Sequence, residues 1–174
     1  MFVLLDALRI LKEKGYLFNC QYVGGETAEI NAVQFSEEVD KRDLNDRVAY
    51  VGRKVGEEKN AFFQQADVFV FPTYYECFPL VILEAMEYKL PAISTNEGGI
   101  PDMVKDGENG LICEKQNPYL LADCIAKLLD DEELRVKMGN AGYDKFCREF
   151  TLQQFEHRML DILSQNLPQK EKEN

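Results

Sequence analysis

The chain has 174 residues, 45% of them hydrophobic, which suits one globular domain with a sizeable core. Its formal net charge of −11 repels a polyanion, so nucleic acid is not an expected partner, although Arg53-Lys54 forms a local basic pair. No apolar run is long enough to cross a bilayer, and Met1–Leu5 meets Asp6 with neither a basic start nor a cleavage site, so no signal peptide is expected. The five cysteines (Cys20, Cys77, Cys113, Cys124, Cys147) include no C-x-x-C pair. All but Cys77 read as small core residues of a reduced, cytoplasmic protein. His157 falls in a helical pattern and reads as a helix-surface residue; one histidine without a cysteine cluster gives no expected metal site.

In chain order, Leu4, Leu5, Leu8 and Leu11 follow the 3.6 period and Gly15 supplies a stop, predicting one helix over 2–14. Phe18–Val23 alternates and ends in Gly24-Gly25, as a strand leading to a loop does. A helix is expected over Glu29–Arg42, a strand over Val48–Val51 and a short helix over Glu57–Ala66. Val68–Phe71 is a continuous apolar run before Pro72, which suits a strand buried on both faces. A helix with Pro79 in its first turn is expected to run to Tyr88, followed by a strand at Ala92–Ser94, a short helix at Ile100–Val104 and a strand at Leu111–Cys113. Pro118–Leu129, Glu132–Phe146 and Leu152–Leu163 read as three successive helices, with Asp131 and Thr151 as N-caps. The domain is expected to cover 1–164, and the polar stretch 165–174 to be a frayed tail.

Short strands alternating with helices predict an α/β fold, a three-layer Rossmann-like parallel sheet with helices on both faces. Ligands then bind beyond the carboxyl ends of the strands, where the loops 24–28, 52–56, 72–78 and 95–99 gather. The loop after Pro72 leads into the Pro79 helix, whose first backbone N–H groups lack helical partners and carry partial positive charge. This is a ready site for phosphate or sugar hydroxyls. Glu76 stands at its mouth, and Glu84 lies roughly 7–8 Å along the helix. Two such carboxylates suit the two ends of one extended ligand, such as a nucleotide sugar. The Glu-x7-Glu spacing is weak by itself, since Glu29 and Glu37 share it within one expected helix. Glu84 reads either as a solvated helix residue or, among Leu80, Val81, Ile82, Leu83, Ala85 and Met86, as a carboxylate that is paired or beside a ligand.

The ordered series A66-D-V-F-V-F-P, Glu76-x7-Glu84, P91-A-I-S-T, G98-G-I-P-D and D106-G-E-N-G-L closely resembles the carboxyl-terminal domain of family 4 glycosyltransferases, the glycosyl transferases group 1. The likeness runs from about residue 3 to about residue 160. It implies the C-terminal half of a GT-B fold and a retaining, metal-independent transferase that uses a nucleotide-diphosphate sugar as donor substrate and no cofactor. It also implies roles. Glu84 would bind the ribose hydroxyls, and Glu76, the catalytic candidate, would touch the donor sugar near the reacting carbon. Cys77, Phe78, Pro79 and Leu80 would line the sugar and phosphate pocket, and the turn Gly52–Val55 would lie beside the base. Gly98-Gly99 would approach the rim, or would simply form a tight turn that needs glycine.

Two departures qualify the likeness. Cys77 stands where the family commonly has Gly; it reads as a tolerated side chain or as a reactive thiol at a helix N-terminus. The family's diphosphate-binding Arg and Lys, the first strand that carries them and the amino-terminal acceptor domain have no counterpart in the sequence. The expected assignment is therefore the donor-binding domain of a glycosyltransferase, inactive in transfer by itself. The whole protein would be cytoplasmic, in solution or peripheral to the membrane. Without its first, central strand the sheet is expected to rearrange or to dimerise through open edges. The competing readings are a non-catalytic nucleotide-binding module and another GT-B enzyme such as a sugar-nucleotide epimerase.

Overall fold

The computed structural model describes residues 2–166. The chain begins with α1 (Phe2–Glu13), whose apolar stripe Leu4, Leu5, Leu8 and Leu11 is buried as its period requires. Gly15, at φ +86°, turns the chain out of it. There follow β1 (Cys20–Val23), α2 (Ala32–Asp40), β2 (Val48–Gly52), α3 (Gly56–Gln65), β3 (Phe69–Phe71), α4 (Leu80–Glu87), β4 (Ala92–Thr95), α5 (Ile100–Met103) and β5 (Gly110–Cys113). Three helices end the chain: α6 (Pro118–Asp130), α7 (Glu132–Glu149) and α8 (Leu152–Asn166). Asn117 caps α6 and Asp131 caps α7, each side chain accepting from the backbone three residues on. No helix among the described residues is long and apolar enough to cross a membrane.

All strand pairings are parallel, and helices cover both faces. Strand alternation sorts the core into two layers. Ile93, Leu111 and Cys113 face α1 and α6 on one side. Ala92, Phe69, Phe71 and Ile112 face α4 and α5 on the other. The α/β expectation with helices on both faces therefore holds.

The strands form two sheets, β1-β2 and β3-β4-β5. A cleft of 710 Å³ separates them, lined by Cys20–Val23 on one side, Val68–Val70 on the other and Leu4 and Leu8 of α1 across it. Cys20 N–H donates to Arg47 C=O in the β2 direction and Phe69 N–H to Pro91 C=O in the β4 direction. Because backbone groups alternate sides along a strand, those of Gln21 and Val70 point into the cleft. The single sheet expected from the sequence is thus split in two, and its strands are not re-paired across the cleft. The split also corrects the expectation for 68–71: β3 is only half-buried, because its second edge lines the cleft.

Four further expectations change. The second helix starts at Ala32 rather than Glu29, because Asn31 and Gln34 form a reciprocal capping box, with Asn31 Oδ1 accepting from Gln34 N–H and Gln34 Oε1 from Asn31 N–H. Glu29 and Glu37 therefore do not share a helix. Pro79 is the N-cap of α4 and not part of its first turn. Among the cysteines expected in the core, only Cys113 is fully buried; Cys20 and Cys124 are partly so, and Cys147 is exposed on α7. Residues 165–166, expected to fray, still belong to α8; the rest of the expected tail, 167–174, lies outside the described residues.

Candidate functional site

The site is assembled at the loop between β3 and α4. Strand β4 holds that loop from beneath through two buried hydroxyls. Ser94 Oγ donates to Phe71 C=O at 2.7 Å and Thr95 Oγ1 to Thr73 C=O at 2.8 Å. A third bond comes from the loop after β4, where Gly99 N–H donates to Cys77 C=O at 2.6 Å. These bonds fix the path of residues 71–77, and with it the place of Glu76. Glu76 is half-buried, and its carboxylate has no hydrogen-bond or ion-pair partner among the described residues.

Gly98 explains why this close approach is possible. It sits at φ +49°, and a Cβ there would lie 2.1 Å from Glu76 C=O oxygen and 2.5 Å from that of Cys77. At Gly99 a Cβ would lie 2.5 Å from Cδ2 of Phe78. Gly98 thus takes a glycine conformation, and the loop packs directly on the backbone of Glu76 and Cys77.

The N-terminus of α4 follows at once. Its cap, Pro79, is buried and offers no side-chain hydrogen bond, and the N–H groups of Leu80 and Val81 have no partner within the helix. Cys77, Phe78 and Leu80 are exposed beside them; the Phe78 ring also packs on Phe150, with centroids 6.2 Å apart. A partial positive charge, open to solvent, thus faces the Glu76 loop.

Glu84 lies on the same helix, one turn on. Of the two readings of this residue, the paired carboxylate is the one found. Its Oε1 accepts from Lys59 Nζ of α3 at 2.6 Å, and both side chains are about one-third exposed, 36% for Glu84 and 32% for Lys59. This contact ties α4 to α3, and so to the turn Gly52–Val55 that precedes α3. Gly52 takes φ +73° to end β2, and Val55 is the exposed N-cap of α3. The basic pair splits: Arg53 is exposed, whereas Lys54 reaches Glu58 at 3.5 Å.

The geometry therefore brings Glu76, Cys77, Gly98 and Gly99 into contact at one end of α4, and links Glu84 through Lys59 to the Gly52–Val55 turn. Sequence reasoning missed Lys59, Ser94 and Thr95. The hydroxyl pair was detectable, since Ser and Thr closing a strand buried on both faces must find acceptors. Lys59 is 25 residues from Glu84, and no local pattern joins them. Chemically, the arrangement offers unpaired N–H donors for an anion and two carboxylates, at either end, for hydroxyl groups.

Comparison with known proteins places this architecture. The chain is 33% identical over 150 residues to the capsular polysaccharide biosynthesis glycosyltransferase CapM of Staphylococcus aureus, covering 86% of this chain and 38% of that protein. Sucrose-phosphate synthase of Thermosynechococcus elongatus superposes with a TM-score of 0.81 at 27% identity, covering 93% of this chain and 42% of the other. Anabaena HepE in complex with UDP gives a TM-score of 0.83 at 20% identity, covering 94% and 44%, a likeness of fold. The chain spans between a fifth and two fifths of the length of the curated relatives it matches, for example 23% of the D-inositol 3-phosphate glycosyltransferase of Corynebacterium efficiens. The family model described as glycosyl transferases group 1 matches residues 1–145. The chain belongs to the glycosyl transferases group 1 and has the fold of their C-terminal domain.

Proposed function

We propose that this domain binds a nucleotide-diphosphate sugar and forms the donor half of an enzyme that transfers the sugar with retention of anomeric configuration. The carrying observation is the convergence of the free N-terminus of α4 with Glu76 at its mouth and Glu84 on its flank. The diphosphate and donor sugar lie against the N–H groups of Leu80 and Val81, favoured there by the helix dipole. Glu84 accepts from the ribose hydroxyls. The base rests beside Gly52–Val55. Glu76, free of protein partners, touches the donor sugar at the reacting carbon. HepE, of the same fold, has been solved with UDP, which supports a nucleotide donor for this chain. The acceptor is bound by a further domain of the whole protein, and this chain does not complete transfer by itself because leaving-group stabilisation needs cations that its α4 site does not supply.

Calorimetry with UDP, ADP and GDP on the wild type and on Glu84→Ala tests the reading. One diphosphate is expected to bind the wild type, and the variant to bind it at least about tenfold more weakly, the loss of a charge-assisted hydrogen-bond pair. No binding by the wild type, or equal binding by both proteins, overturns it. Detectable transfer to any acceptor by this chain would overturn the claim that it is inactive by itself.

A further inference from the structure

Lys59 has no role in the reading above, yet it makes the one side-chain hydrogen bond to the Glu84 carboxylate among the described residues. Resting on that reading of Glu84, we propose that Lys59 is a positioning residue that aims the Glu84 carboxylate at the ribose, and so sets the preference for ribonucleoside over 2′-deoxyribonucleoside diphosphates.

Lys59 is the fourth residue of α3 and Glu84 the fifth of α4, so each lies about one turn from a helix start. Both starts border the loops assigned to the ligand: Gly52–Val55 before α3, and 72–79 before α4. The Lys59–Glu84 bond therefore spans the two loops at the point where base and phosphate ends of a nucleotide would meet, which is the ribose. The bond engages only Oε1 of Glu84; Oε2 has no partner among the described residues.

A vicinal diol donates two hydrogen bonds, and a carboxylate accepts both only when its plane is turned to the diol. A glutamate that is one-third exposed otherwise samples several rotamers, and ordering it on binding costs affinity. The ammonium removes that freedom in advance. It uses one lone pair of Oε1 and leaves the remaining acceptor sites for the ligand. A carboxylate so aimed gains from both ribose hydroxyls; a deoxyribose offers it only one. Freed from Lys59, the side chain adapts to either sugar, and the discrimination falls. The opposite role, in which Lys59 blocks Glu84 and must leave before ligand binds, would make its removal tighten binding.

The test uses the tightest-binding of UDP, ADP and GDP and its 2′-deoxy counterpart, by calorimetry, on the wild type, Lys59→Met, Lys59→Arg and Glu84→Ala, with thermal melts of each. Lys59→Met is expected to weaken the ribonucleotide about fivefold and the deoxynucleotide by less than twofold, so that their affinity ratio falls by more than about 2.5-fold. Lys59→Arg keeps most of the ratio. An unchanged ratio in Lys59→Met, or tighter ribonucleotide binding, overturns the proposal while leaving the Glu84 reading intact. A wild type that shows no preference between the two sugars, or a ratio unaffected by Glu84→Ala, overturns the Glu84 reading and this proposal with it. A loss of melting temperature in Lys59→Met with an unchanged ratio marks the pair as merely structural and also counts against the proposal.

Discussion

Gly98→Ala is the sharpest perturbation of the loop that carries Glu76. Two costs add. The backbone at φ +49° disfavours a side chain by about 1 kcal/mol. The new Cβ would also start 2.1 Å from the Glu76 carbonyl oxygen, against a 3.0 Å limit that real Cβ contacts do not cross. The loop or its neighbour must therefore retreat by about 1 Å, an overpacking worth about 1–3 kcal/mol. The obstacle is backbone, so no side-chain rotation relieves it. Gly99 N–H to Cys77 C=O, at 2.6 Å, is the first bond to be lost, for about 1 kcal/mol more. A total of about 3–5 kcal/mol follows. Gly107→Ala is the control: its φ is +77°, but a Cβ there meets nothing within 4 Å, so only the strain of about 1 kcal/mol applies. Urea unfolding of the two variants should differ by about 2–4 kcal/mol in stability. The same retreat moves Glu76 and the N-terminus of α4 apart, so Gly98→Ala should also lose nucleoside diphosphate affinity, whereas Gly107→Ala should keep it. Equal destabilisation of both, or full affinity in Gly98→Ala, would refute the view that close approach at Gly98 holds the site.

Helix α7 supplies a second glycine contrast. A Cβ at Gly142 meets only ordinary contacts, the nearest at 3.6 Å, so Gly142→Ala should stabilise by about 0.5–1 kcal/mol through helix propensity. At Gly139 the Cβ would lie 1.9 Å from Lys89 C=O, so the same change should destabilise by about 2 kcal/mol; thermal melts that move in the same direction for both would refute the packing of α7 on α4. Burial pushes the Cys20 thiol up from 9.0 to about 12, and the Cys113 thiol up to about 11. These folded values lie above the unfolded ones, so the stability they contribute is whole below pH 9 and is lost as pH rises through 11 to 12. By pH 10 each thiol has cost about 1.4 kcal/mol, and Cys20→Ala should flatten the decline between pH 8 and 10 by that amount; an unchanged decline would refute it. The open edges of β1 and β3 predict self-association, to be seen as a mass above that of one chain in light scattering at high concentration; a strictly monomeric species would count against it.

What the sequence made legible was periodicity and order. The stripe Leu4, Leu5, Leu8, Leu11 located α1, and the spacing of strands along the chain was right throughout. The motif series pointed to the loop at Glu76 and the helix start near Pro79, although the glutamate spacing carried little of that weight. Boundaries shifted where a side chain and a backbone group compete at a helix start. The Asn31–Gln34 capping box moved α2 by three residues, and it was readable in the sequence as N-x-x-Q before an apolar residue. Burial failed differently. Cys147 lies among apolar and charged neighbours in the chain, but it points off α7 into solvent, a direction that sequence neighbours do not determine.

The split sheet and the site bear on each other. Ser94 and Thr95 belong to β4, which is paired on both edges by β3 and β5, so the acceptors they hold, Phe71 and Thr73 C=O, are anchored to the fully paired strand. The Glu76 loop thus depends on the β3-β4-β5 half and on the Gly98-Gly99 contact. The Gly52–Val55 turn depends on the β1-β2 half. Lys59 lines the cleft between the halves and bonds Glu84 of α4, so a ligand that needs both loops needs the halves held at one spacing. Under the proposed function, affinity for a nucleoside diphosphate depends on two separable things. The α4 end is preformed by short-range hydrogen bonds, and the base end is registered to it through α3 and one ion pair.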